Sequence, residues 1–149
     1  MNSMQSPFNG VKIVAFDFDG TLIDSYFCIP SIWLSIGRLL GLNGYLLLRF
    51  VNEALKEEDA ADKLEVYDRS SVALKALKKV GALKSEVHLK SINAAYWELR
   101  VKYSRPLPCS FELLNYLKGK GYILASVSGR DGVCSLKRLR IALSGLMGY

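Results

Sequence analysis

Two short apolar runs rich in β-branched residues frame the chain. Residues 11–16, from Val11 to Phe16, stop abruptly at Asp17-Phe18-Asp19-Gly20, and residues 122–127, from Tyr122 to Val127, stop at Ser128-Gly129-Arg130-Asp131-Gly132. Each pattern predicts a buried strand that delivers a small polar loop. Just before the second run, residues 111–118 place apolar side chains at i, i+3 and i+6, with Ser110 as candidate N-cap and Gly119 and Gly121 as stop signals. Helix, glycine turn and strand make half of an α/β unit, which predicts a parallel sheet.

Between the two runs the spacing of apolar positions is helical. The predicted helices cover 31–40, 45–56, 70–80 and 85–103, punctuated by Gly41, Gly44 and Gly81. Arg105-Pro106-Leu107-Pro108 then reads as a stiff linker back to the α/β part. The expected organisation is an incomplete α/β core from 1–25 and 106–149, with an all-helical cap inserted at 26–105. Trp33, Trp97 and the tyrosines fall inside apolar helical patterns and are expected in the core. His88 has no cysteine or carboxylate at metal-ligand spacing and is expected on the cap surface or in packing.

Residues 29–51 are apolar enough to raise the question of a membrane span. Arg38 near their middle would cost roughly 2.5–3.5 kcal/mol on insertion, and Gly41-Leu42-Asn43-Gly44 breaks the stretch. Two buried helices are expected instead. The 149 residues, half of them apolar, are enough for a core. A net charge of +6 would suit a polyanionic partner, but the basic residues are dispersed as Lys78-Lys79, Lys118 with Lys120, and Lys137-Arg138 with Arg140, mostly on expected solvated helix faces. No nucleic-acid partner is expected. Cys28, Cys109 and Cys134 form neither a disulfide framework nor a zinc pattern, and the first ten residues are unlike a signal peptide. A cytoplasmic location follows by default.

The strongest chemical signal is Asp17-Phe18-Asp19-Gly20-Thr21-Leu22 directly after a strand. In extended backbone, residues i and i+2 project to one side, so Asp17 and Asp19 are expected to reach together into the crevice beyond the strand's carboxyl end. That is where open α/β sheets bind ligands. Gly20 would permit a sharp turn. Two adjacent carboxylates repel unless a cation intervenes, and magnesium, a hard cation with oxygen ligands, resolves the conflict and neutralises a phosphate. Asp17 could then attack phosphorus, with Asp19 as acid and later base. A calcium loop starting at Asp17 fails, since positions six and twelve are Leu22 and Cys28 rather than glycine and glutamate.

Asp17 to Ser25, read DFDGTLIDS, resembles motif I of the haloacid dehalogenase (HAD) superfamily in its phosphatase branch, and Val127-Ser128-Gly129 resembles motif II. The segment from Pro108 to Leu114 followed by Gly121-Tyr122 is similar to the family's lead-in to motif II, and the helical insert to its C1 cap, as in phosphoglycolate phosphatase. The resemblance implies a partial HAD-type, Rossmann-like parallel sheet core with a helical cap, a magnesium ion held by Asp17 and Asp19, and a small-molecule phosphate ester as substrate. It implies phosphoryl contacts for Ser128 and Gly129. Gly20, Thr21 and Arg130 are further candidate substrate contacts, and Asp24 and Ser25 are expected at the hinge.

The family's later motifs, a lysine near the phosphate and an acidic pair, do not occur: no acidic residue follows Asp131, and Lys137 does not stand in the lysine's context. The sequence thus reads as truncated, or as completed by another chain, with weak magnesium binding and little activity expected of these residues alone. An incomplete sheet also leaves an open edge for self-association. A sugar phosphomutase of the same family and a non-catalytic binding or interaction module are the alternative functions.

Overall fold

The computed structural model describes residues 10, 12–83, 89–132 and 135–149. Val11, Ser85, His88 and Cys134 therefore lie outside the described residues. Strand β1 (Ile13–Phe16) leads through a turn to the short strand β2 (Ile23–Asp24), and four helices follow: α1 (Ile29–Leu39), α2 (Gly44–Lys63), α3 (Arg69–Lys79) and α4 (Leu89–Tyr103). The chain returns through β3 (Arg105–Pro106), α5 (Ser110–Gly119), β4 (Ile123–Ser126), α6 (Leu136–Leu143) and a 3₁₀ turn at Leu146–Gly148.

The architecture is α/β. β1 and β4 pair in parallel, with Ile13 opposite Ile123 and Phe16 opposite Ser126. Expectation and structure differ in how far these strands are buried. Val14, Phe16 and Leu124 turn inward, while Ile13, Ala15, Ile123 and Ala125 stay exposed on the opposite face. The apolar runs predicted burial on both faces, but the described residues cover only one. On that face Phe16 and Leu124 pack against Phe18, Leu22, Ile23, Leu114 and Leu146.

The expected linker at 105–108 is partly a strand. β3 pairs antiparallel with β2, Ile23 opposite Pro106 and Asp24 opposite Arg105. Pro106 is tolerated because a two-residue edge strand leaves its missing N–H unused. Leu107 N–H and Ser110 Oγ–H both donate to the Leu22 carbonyl at 2.9 Å. Ser110 is therefore not the N-cap of α5. Cys109 holds that place with a left-handed backbone, φ 65°.

Helices α1–α4 enclose a second apolar cluster around Trp33, Ile36, Phe50, Leu77 and Tyr96. Gly37 lets α2 approach α1 closely, since a Cβ there would collide with Leu47. Trp33 packs edge-on against Phe50 at 6.1 Å and tilted against Tyr96 at 5.3 Å. The tyrosines as a group are not core, because Tyr45 and Tyr116 are exposed. The apolar stretch at 29–51 is divided as expected between α1 and α2, and among the described residues no helix is long and apolar enough to cross a membrane.

One carboxylate is buried inside this helical cluster. Glu58, 3 % exposed, accepts hydrogen bonds from Trp33 Nε1 and the Tyr96 hydroxyl. It also faces Arg69 at 3.6 Å and Arg100 at 3.7 Å. Burial opposes the charge on Arg69, but Glu58 and Tyr96 more than offset it and keep the guanidinium ionised. Removing the carboxylate would leave buried Arg100 without a carboxylate partner and buried Arg69 with Asp62 alone. Glu58→Ala is expected to destabilise the fold by roughly 3–5 kcal/mol, read from urea denaturation, with Glu58→Gln losing less because it still offers a hydrogen-bond acceptor.

Candidate functional site

Parallel pairing sends the loops after β1 and β4 to the same end of the sheet. There they line a cleft of about 220 Å³. From the α/β side come Asp17, Asp19, Ser128, Gly129, Arg130, Asp131 and Lys137; from the helical side come Tyr26, Asp62, Tyr67, Arg69, Trp97 and Arg100. Of the residues named from sequence, Asp17, Asp19, Ser128, Gly129 and Arg130 thus meet in one place. Gly20 and Thr21 do not line it. Gly20 turns the chain at φ 77° and donates its N–H to the Ile23 carbonyl at 2.8 Å, and its missing Cβ makes room for the Tyr26 ring.

The local backbone explains the two acidic side chains. Phe18 between them is fully buried, and the carboxylate of Asp17 turns back to accept the Phe18 N–H at 2.7 Å. Asp17 remains exposed. Asp19 does not. Its Oδ1 accepts from Arg140 Nη2, and its Oδ2 accepts from Lys137 Nζ and, at 3.3 Å, from Arg140 Nη1. Both cations also reach Asp131, Lys137 at 3.0 Å and Arg140 at 3.1 Å. Asp19, Asp131, Lys137 and Arg140 form a closed network of two negative and two positive charges.

Sequence reasoning placed Lys137 and Arg140 on a solvated helix face, and the structure corrects this. Arg140 is 2 % exposed, and both cations lie over the Phe18 ring, at 5.8 Å for Lys137 and 5.4 Å for Arg140. Their spacing of three residues on α6 puts them on one face. That face meets the acidic loops only once β4 has placed α6, which composition does not reveal. Asp131, Tyr26, Tyr67, Asp62, Arg69 and Arg100 were likewise missed, and Trp97 belongs to the cleft as well as to the core.

The electrostatic consequence falls on Asp19. Burial alone would raise its pKa, yet the hydrogen bonds from Arg140 and Lys137 outweigh burial and hold the carboxyl far below the usual carboxylate range. A magnesium ion would need several free oxygen ligands. Both Asp19 oxygens are already engaged, and among the described residues no group of three His, Cys, Asp or Glu side chains could hold a metal. As arranged, these residues do not fit a bound magnesium ion.

Comparison with known proteins bears on the fold. No family model and no curated protein matches the sequence. Among solved structures, the chain is similar to YfnB of Bacillus subtilis, described as an HAD-hydrolase bound to magnesium, with TM-score 0.66 and 17 % identity over 93 % of this chain and 61 % of that one. It is also similar to a predicted phosphoglycolate phosphatase from Haemophilus somnus 129PT, with TM-score 0.56 and 22 % identity over 91 % of this chain and 58 % of that one. At these identities the likeness establishes the fold alone: the chain has the fold of the HAD superfamily. It spans about three fifths of the length of either protein.

The folded-state pKa of Asp19 lies below the unfolded value of about 3.9, so its contribution to stability is complete above that value and is lost as pH falls below it. Thermal melts from pH 5 down to about pH 2 should therefore show a loss for the wild type below about pH 4 that is smaller in Asp19→Asn. At Gly132, a Cβ would collide with the Tyr67 carbonyl and sit 2.8 Å from Trp97 Nε1. Gly132→Ala should cost about 1–3 kcal/mol, measurable as a lowered Tm.

Proposed function

We propose that this chain carries the phosphoryl-transfer centre of a HAD-type phosphatase acting on a small soluble phosphomonoester, with Asp17 as the nucleophile. What supports this most is the convergence of Asp17 with Ser128, Gly129 and Arg130 in one cleft at the carboxyl ends of two paired parallel strands. Among the described residues the exposed Asp17 carboxylate accepts only the Phe18 N–H, and it is free to turn toward phosphorus. An Asp17 oxygen would form the new P–O bond as the ester P–O bond breaks, leaving an aspartyl phosphate and an alkoxide, which takes a proton from a donor in the cleft or from solvent water to become the alcohol. Ser128, the Gly129 N–H and Arg130 would receive the phosphoryl oxygens. Water then attacks the phosphoryl group and releases phosphate and Asp17.

Asp19 enters at the second step. Its lowered pKa makes it a weak base while Lys137 and Arg140 hold it, so taking a proton from the attacking water requires their release. Protonating the leaving group requires a state in which Lys137 or Arg140 has released it. The cap-side residues Arg69, Arg100 and Tyr26 border the same space and favour an anionic small molecule over a macromolecule. The residues described do not by themselves fit magnesium, and no step here runs through it.

A second reading, a non-catalytic phosphate-binding module, gains support from one observation: both oxygens of Asp19 are committed to cations. Covalent chemistry separates the two. Incubated with acetyl phosphate, the full chain should gain the mass of one phosphoryl group; Asp17→Asn should abolish the adduct and Asp24→Asn should keep it. An unmodified wild type would favour the module, and an adduct surviving in Asp17→Asn would remove Asp17 from its role.

A further inference from the structure

The disagreement between the acidic pair and the magnesium it would be expected to hold has a structural cause. We propose that α6 supplies this chain with its own counter-ion: the Lys137 ammonium, backed by the Arg140 guanidinium, occupies the place beside Asp19 where a divalent cation would bind, and excludes it. The inference does not depend on phosphoryl transfer, since it concerns only which cation neutralises Asp19.

Three observations carry it. First, the ligand atoms are used. Each oxygen of Asp19 already accepts from a cation, Oδ2 from two, so a divalent ion would have to share a cation-bound oxygen or displace a donor. Second, the charges balance without a metal, Asp19 and Asp131 against Lys137 and Arg140. A dication entering beside two buried cations would meet repulsion that water screens poorly there, because the four side chains are 13 %, 4 %, 18 % and 1 % exposed. Third, the cations are held. Arg140 chelates Asp19 and Asp131 together and reaches Ser104 Oγ at 3.3 Å, and the Phe18 ring lies against both cationic heads.

Removing the Lys137 charge should reverse the balance. Arg140, helped only from across the cleft by Arg100, would then face two partly buried carboxylates, with Asp17 a third negative charge along the same cleft, and an uncompensated charge there is costly. A hard dication is the species that relieves it.

The test is calorimetric titration of magnesium chloride into the full chain freed of metal with EDTA, alongside far-UV circular dichroism. Wild type should give no saturable heat in the millimolar range, and Lys137→Arg, which keeps the charge, should match it. Lys137→Gln should bind magnesium at least about tenfold more tightly and show a magnesium-dependent rise in Tm that wild type lacks. Saturable binding to wild type as tight as to Lys137→Gln would overturn the proposal, as would a folded Lys137→Gln that gains none. Should Lys137→Gln not fold, the wild-type and Lys137→Arg titrations decide: tight binding by either refutes the proposal. None of these outcomes bears on whether Asp17 accepts a phosphoryl group.

Discussion

Parallel pairing of β1 with β4 puts the carboxyl ends of both strands at one edge of the sheet, with Phe16 opposite Ser126. That register brings residues 17–19 and 128–131, more than a hundred positions apart in sequence, to the same cleft. Val127 N–H continues the ladder by donating to the Phe16 carbonyl at 2.8 Å, so both loops start from a fixed base. A shift of one residue would turn Leu124 outward and Ile123 inward. It would also move Ser128 relative to Asp17. The inward packing of Phe16 and Leu124 against Phe18 and Leu114 therefore places the cleft as well as the core.

Two buried charge networks border this cleft, built on the same logic. In the helical cluster Glu58 is surrounded by Arg69, Arg100 and two aromatic donors; beside the sheet Asp19 and Asp131 are matched by Lys137 and Arg140. Counting Asp62, which pairs with Arg69 at 2.5 Å, each is neutral as a unit, and each places cations over aromatic faces, Arg69 over Tyr96 and Trp97 in the one, Lys137 and Arg140 over Phe18 in the other. Such arrangements are sensitive to loss of a single partner and say little about net stability. Their use here is placement: Arg69 and Arg100 border the cleft from one side as Asp19 and Lys137 do from the other.

Much of the fold was legible because local patterns carried it. Periodicity found the two strands, the four central helices and α5, although α2 runs on to Lys63 where an end at 56 was expected; the Asp17-Phe18-Asp19 alternation located the acidic loop. What stayed hidden depended on long-range contact. Nothing local marks Arg140 as buried, since its burial follows from Asp19 and Asp131, 121 and 9 positions away. Ser110 has the composition of a cap, yet its hydroxyl is drawn to Leu22, 88 positions off, and the cap falls to Cys109. Arg105-Pro106 looks like a linker because proline discourages strands, and only the partner at Ile23–Asp24 makes it one.

That partnership shapes how the two sets of elements connect. The chain leaves the sheet side through β2 and comes back through β3, and these two crossings are hydrogen-bonded to each other. Two independent tethers would permit shear between the helices and the sheet. A single twisted ribbon resists shear, because sliding would break its ladder, and yields more readily to torsion along its length. The acidic turn before β2 and the entrance to α5 after β3 thus share one short ladder, and a substitution that broke it would loosen both together.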